Sequence, residues 1–256
     1  MTKLPMRLST TLIKASTLGL VLSPMYAMAL DEGPVSNLGI IGAYNEYELN
    51  SDNANVDGRD ENVNKAGLFY NYGNKMTGGP GVIYQIGVDA RYGERNDDEI
   101  KDARADLDLG MRMPLTNNSN FDMLVGLGYD WSRFEMDDTN LGDVEVSNKS
   151  PFAKAALGWH HQGNTVTTRL EVGTRYSIEG EGKIKLDGVG SETVDLKDKF
   201  NPYAELNFLW DRGFGVPVTA GVYYTQTNYE LKNERALADN SELESNEFGV
   251  KLGVMF

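Results

Sequence analysis

The chain has 256 residues, with 28 Gly, no Cys and a formal net charge of −14 from 24 Lys and Arg against 38 Asp and Glu. The absence of Cys excludes a disulfide scaffold, and a hydrophobic share of 40% excludes an acidic disordered chain. Beyond the first thirty residues no apolar run is long enough for a membrane-spanning helix, and the excess of acid sets nucleic acid aside as a partner.

Residues 1–29 read as a cleaved signal peptide. Lys3, Arg7 and Lys14 come with no acid, an apolar stretch follows over 15–22, and Ala27-Met28-Ala29 gives a small-x-small cleavage pattern. Pro24 and the acidic Asp31-Glu32 end the apolar run, which is too short to span a bilayer. Removing the segment takes away three Lys and Arg and no acid, so 21 bases against 38 acids leave residues 30–256, expected as one domain, at −17.

From there alternation with period two governs the chain. Ten strands are predicted, over 37–49, 65–74, 81–92, 103–115, 121–135, 151–160, 165–178, 200–210, 216–229 and 247–256. The fourth shows the pattern best. Ala103, Ala105, Leu107, Leu109, Met111, Met113 and Leu115 occupy one face, against Arg104, Asp106, Asp108, Gly110 and Arg112 on the other. In the first, the adjacent Ile40 and Ile41 blur the alternation. Segments of about ten residues suit a transmembrane β-strand. Helical periodicity competes nowhere in this part of the chain.

The connections alternate in length. Short links surround Met76-Thr77-Gly78-Gly79, Thr116-Asn117-Asn118, Gln162-Gly163 and Arg212-Gly213-Phe214, whereas 50–64, 93–102, 136–150, 179–199 and 230–246 are long and carry nearly all the net negative charge. Within 179–199, Asp187-Gly188 between two alternating runs predicts a hairpin that prolongs the seventh and eighth strands beyond the membrane. A soluble barrel would hold its apolar face inside. Here the inward set is read as the charged one, so the apolar face is assigned to lipid.

Over residues 30–256 the chain resembles the outer-membrane β-barrel superfamily. The residues that carry this are the signal peptide, the strand pattern, and a final strand in which Phe248, Val250, Leu252, Val254 and Phe256 alternate to an aromatic carboxyl terminus. The resemblance implies an all-β, antiparallel up-and-down transmembrane barrel of ten strands, with eight or twelve as alternatives. It also implies that the barrel-assembly machinery reads the final strand as a sorting signal, with outer-membrane lipid and lipopolysaccharide as surroundings and both termini periplasmic. No cofactor is implied, and the oligomeric state is left open.

Four kinds of site follow from the faces. Outward aromatics near strand ends, among them Tyr92, Phe121, Trp131, Trp159, Tyr176, Trp210 and Phe256, form two girdles at the headgroup layers. On the inward face, tight hairpins put Lys65 opposite Asp89, Arg104 opposite Asp130, Arg112 opposite Asp122, and Lys154 opposite Glu171. Asn53, Asn55, Asp57 and Glu61 follow part of the oxygen spacing of a calcium loop, although Asn64 stands where a bidentate Glu belongs. Finally, the final strand supplies the assembly signal.

His160 and His161 are the only histidines, and both lie at the short-turn end of the sixth strand, far from the acidic loops. General acid–base chemistry between His and a loop carboxylate therefore has no partner. The expectation is a protein that is not an enzyme: a structural barrel or narrow porin-like channel with a charge-paired lumen. The alternative is a surface adhesion protein acting through its acidic loops.

Overall fold

The computed structural model describes residues 33–50, 59–95, 98–139, 142–186, 190–211, 215–230 and 242–256; the predicted signal peptide lies outside them. Twelve strands follow one another: β1 (Val35–Asn50), β2 (Arg59–Gly73), β3 (Gly81–Arg95), β4 (Asp98–Pro114), β5 (Ser119–Thr139), β6 (Gly142–Gln162), β7 (Val166–Ser177), β8 (Glu181–Leu186), β9 (Gly190–Asp195), β10 (Phe200–Trp210), β11 (Val218–Glu230) and β12 (Glu242–Met255).

Ten of them close into an antiparallel barrel. Each strand from β1 to β6 pairs with the next, β7 pairs with β10, and β10, β11 and β12 continue the ring until β12 meets β1. Closure removes every sheet edge from the membrane, where an unpaired backbone group would cost several kcal/mol. The fold is inside-out: Ile40, Leu68, Val82, Leu109, Val125, Leu127, Val222 and Val250 are exposed around the circumference, as a lipid-facing belt requires. The adjacent pair in the first strand separates cleanly, with Ile40 outward and Ile41 buried in the lumen.

Strands β5 and β6 run for 21 residues each. A transmembrane strand needs only about 9–11, so this hairpin rises well clear of the barrel. The expected loop at 136–150 is therefore corrected: most of it is ladder, with Glu135 opposite Glu145 and Ser132 opposite Asn148. Backbone pairing needs no lipid, and alternation continues through Val144 and Val146. The hairpin predicted around residue 187 is present as β8 and β9 and prolongs β7 and β10: the ladder that pairs Tyr176 with Phe200 resumes in the same register with Glu181 opposite Asp195. A left-handed residue, Glu179 at φ 46°, interrupts it after β7, and β8 also pairs with the outer half of β6, Lys149 facing Glu181.

Candidate functional site: the lumen and its two closures

Inward side chains from all ten barrel strands meet in the lumen, where two groups of charges form. Nearer the short turns, Arg112 holds Asp122 through two bonds, Nε to Oδ1 at 2.7 Å and Nη2 to Oδ2 at 2.8 Å. Arg169 donates from Nε to Asp122 Oδ2 at 3.2 Å and from Nη1 to Glu171 Oε2 at 2.5 Å. Lys154 Nζ lies 2.7 Å from Asp108 and 3.3 Å from Glu171, and the Tyr203 hydroxyl donates to Glu171 at 2.6 Å. Buried charges of this kind persist only when paired and hydrogen-bonded. Nearer the long loops, Lys65 pairs with Asp102 at 2.5 Å and with Glu247, and Arg91 pairs with Glu247 and with Asp89 at 3.2 Å.

The turn between β2 and β3 is drawn into this network. Lys75 Nζ reaches Asp108 at 2.7 Å and Glu171 at 3.2 Å. The Lys75 carbonyl accepts from Arg112 at 2.8 Å, the Gly78 carbonyl accepts from the same guanidinium, and His160 Nε2 lies 3.1 Å from the Met76 carbonyl. Met76 packs with Leu209, Met255 and Val35. The turn is thus a plug at the short-turn mouth, tied to the wall by charge and sealed by an apolar cluster. At the opposite mouth Val63 and Ile100 are each 1% exposed, and the rings of Tyr47 and Phe134 are in contact. Between the closures lies a polar cavity of about 80 Å³.

Two of the predicted lateral pairs have the expected partners: Arg104 faces Asp130 at 2.5 Å, and Arg112 faces Asp122. The other two are corrected. Lys65 stands opposite Gly93 rather than Asp89, which is opposite Phe69. The β2–β3 turn folds inward and shifts the register by four residues, so Lys65 turns to Asp102 and Glu247 instead. Lys154 stands opposite Arg175, and Glu171 opposite Gly158. The turn is centred on Asn164-Thr165, with the Gly163 N–H bonded to the Val166 carbonyl at 3.0 Å, two residues later than a tight turn at Gln162-Gly163 implies. Lys154 still reaches Glu171, diagonally, by the length of its stem.

Inward glycines make room for charged side chains as well as rings: a Cβ at Gly158 would meet the Arg169 guanidinium and one at Gly67 the Arg91 side chain, while one at Gly249 would collide with the Tyr223 ring and one at Gly128 with that of Phe152.

The girdle residues stand on the outer surface. Tyr92, Trp159, Tyr176 and Phe256 are exposed by 36–47%, Phe121 faces Trp159 across β5 and β6, and Trp210 and Trp131 are half-buried. Phe248, Val250, Leu252, Val254 and Phe256 form the outward row of the strand that closes the barrel against β1. Asn53, Asn55 and Asp57 of the calcium pattern lie outside the described residues, as does the side chain of Glu61.

Sequence reasoning did not find Lys75, Arg91, Arg169 and Glu247. Arg91, Arg169 and Glu247 sit at inward strand positions, and an inventory of inward charges across all ten strands would have shown them. Lys75 lies in a turn, where alternation carries no signal. His161 was not seen to meet Ser119, whose hydroxyl is 2.8 Å from its Nδ1.

Neither a protein-family model nor a curated protein matches the sequence. Among solved structures, the outer membrane protease OmpT from Escherichia coli superposes with a TM-score of 0.56 at 10% identity, covering 90% of this chain and 99% of OmpT. The translocator domain of the autotransporter NalP from Neisseria meningitidis gives 0.43 at 13%, covering 86% and 88%. The outer membrane protein AlkL gives 0.42 at 17%, covering 93% and 96%. At these identities the likeness is one of fold, carried by the first: the chain has the outer-membrane β-barrel fold. The match also corrects the expectation of a protein that is not an enzyme. A ten-stranded barrel of this fold serves a protease, so the architecture does not set catalysis aside.

Proposed function

We propose that this chain, built on the outer-membrane β-barrel fold, is a closed scaffold that holds an extended β-sheet above the membrane as an interaction surface. One observation carries the reading: the protein's own groups close the lumen at both mouths, with the Lys75 plug at one end and the Tyr47–Phe134 contact at the other. A wall filled in this way resists deformation, since buried ion pairs hold geometry tightly even where they contribute little net stability. The surface it would present is the outer half of β5 and β6 with β8 and β9 paired beside them. Its faces carry Arg133 and Lys185 among Glu135 and Glu145, with Lys101 and Glu99 at the end of β4 beside them. In this reading the lipid of the outer membrane is the partner of the belt, and a component of the cell surface or medium is the partner of the sheet. Recording from the refolded protein in planar bilayers tests it. A closed scaffold gives no unitary steps, and reproducible steps in the wild type overturn the reading in favour of a narrow channel.

A further inference from the structure

Every other Lys or Arg in the membrane-spanning lumen has a carboxylate in contact. Arg175, on β7, has none among the described residues. Its guanidinium lies 4.6 Å from the ring centroid of Tyr203 and 5.8 Å from that of Phe152, and it donates one hydrogen bond, from Nη1 to Thr225 Oγ1 at 2.9 Å. Arg175 is half-buried and lines the lumenal cavity.

That cavity, of about 80 Å³, is bordered by Arg104, Lys154 and Lys251 as well as Arg175, and a smaller one of about 30 Å³ also touches Arg104, Arg175 and Lys251. Arg104, Lys154 and Lys251 are turned toward Asp130, Asp108 and Glu205. Three acids line the larger cavity, but Asp89 is engaged by Arg91 at 3.2 Å, Asp106 by Lys154 at 3.8 Å and Glu205 by Lys251 at 2.8 Å. Arg175 is therefore the one lumenal cation with no carboxylate in direct contact, in a space with room for several water molecules. A charge held away from bulk water without a direct partner is costly, and a guanidinium offers a planar fork of donors suited to oxyanions.

We propose that the cavity is a binding site for one small inorganic anion, held by Arg175 between the Tyr203 and Phe152 rings. The cavity wall extends to Val35, Gly73 and Met255 at the short-turn mouth. The proposal does not depend on what the outer sheet recognises.

Inorganic phosphate is the probe in solution. At constant ionic strength, set by a sulfonate buffer too large for the cavity, phosphate raises the thermal unfolding midpoint of the detergent-refolded protein saturably, as a ligand of the native state must. The rise persists in Arg175→Lys and is lost in Arg175→Met. Bromide-soaked crystals show an anomalous peak within hydrogen-bond reach of the Arg175 guanidinium, a readout that stands even if Arg175→Met does not fold. Equal shifts in wild type and Arg175→Met overturn the site, as does a wild type with neither a saturable shift nor a peak.

Discussion

Tyr47 on β1 and Phe134 on β5 meet across the outer mouth of the lumen, their ring centroids 5.8 Å apart and their planes inclined by 35°. Four ladders of the barrel wall separate the two strands, so the contact spans the opening rather than following the sheet. Tilted aromatic pairs of this kind attract beyond their buried area. With the Lys75 turn at the other mouth, the lumen has two closures in series.

Closures in series make a specific electrical prediction. Tyr47→Ala with Phe134→Ala leaves the protein silent in planar bilayers, because the plug remains. Lys75→Ala with Met76→Ala leaves it silent as well, because the rings remain. The four substitutions together give unitary steps. Conductance from either pair alone would show that only one closure matters.

The Arg112–Asp122 pair anchors both the wall and the plug. Arg112 and Asp122 side chains have no solvent exposure, and the same guanidinium binds the Lys75 and Gly78 carbonyls. Arg112→Met therefore leaves a buried carboxylate short of one partner and two carbonyls unmet, and urea titration of the refolded barrel should register a loss of about 3–5 kcal/mol. Asp122→Asn in the Arg112→Met background should recover part of it by removing the stranded charge. Protease sensitivity at residues 75–80 should rise in the single variant. A loss under about 1 kcal/mol would mean that Arg169 alone satisfies Asp122.

Above the membrane, Glu230 ties the end of the inserted hairpin to the barrel. Its carboxylate pairs with Lys197 and Lys199, and its carbonyl accepts from the Lys197 N–H at 2.7 Å. The hydrogen bond from Lys197, then that from Lys199, hold the Glu230 carboxyl below its ordinary value. A lowered folded-state value stabilises the tether above the unfolded value of about 4.3, and the stabilisation is lost as pH falls through the folded value. Amide exchange at Leu196 and Lys197 should therefore quicken only below about pH 4, and Glu230→Gln should abolish that step. A step unchanged in Glu230→Gln would assign it to another carboxylate.

Much of the barrel was legible because lipid and lumen impose opposite chemistry on successive residues. The outward row Leu107, Leu109 and Met111 and the inward row Asp106, Asp108 and Arg112 could not exchange faces without placing charge in hydrocarbon. Lateral partners across tight turns were legible for the same reason, as at Arg104 and Asp130. What failed was whatever depended on a turn's depth. Nothing in Asn74-Lys75-Met76 announces that Lys75 is drawn inward by Asp108 and Glu171, yet that movement shifts Lys65 by four residues along β3. Cross-lumen contacts such as Arg91 with Glu247 join strands that are not neighbours, and periodicity within a strand contains no information about them. The outer extension of β5 and β6 was missed because a loop was assumed to begin there where the membrane ends.

Tyr176 and Phe200 are direct cross-strand partners, 4.7 Å between ring centroids, although the whole of β8 and β9 lies between them in sequence. The ring of strands is already complete without that segment, and none of its hydrogen bonds closes the barrel. It is a cartridge, exchangeable in length and sequence at a site where the wall keeps no record of its contents. Selection can thus rewrite what the molecule shows to its surroundings while the machinery that inserts it meets the same barrel each time.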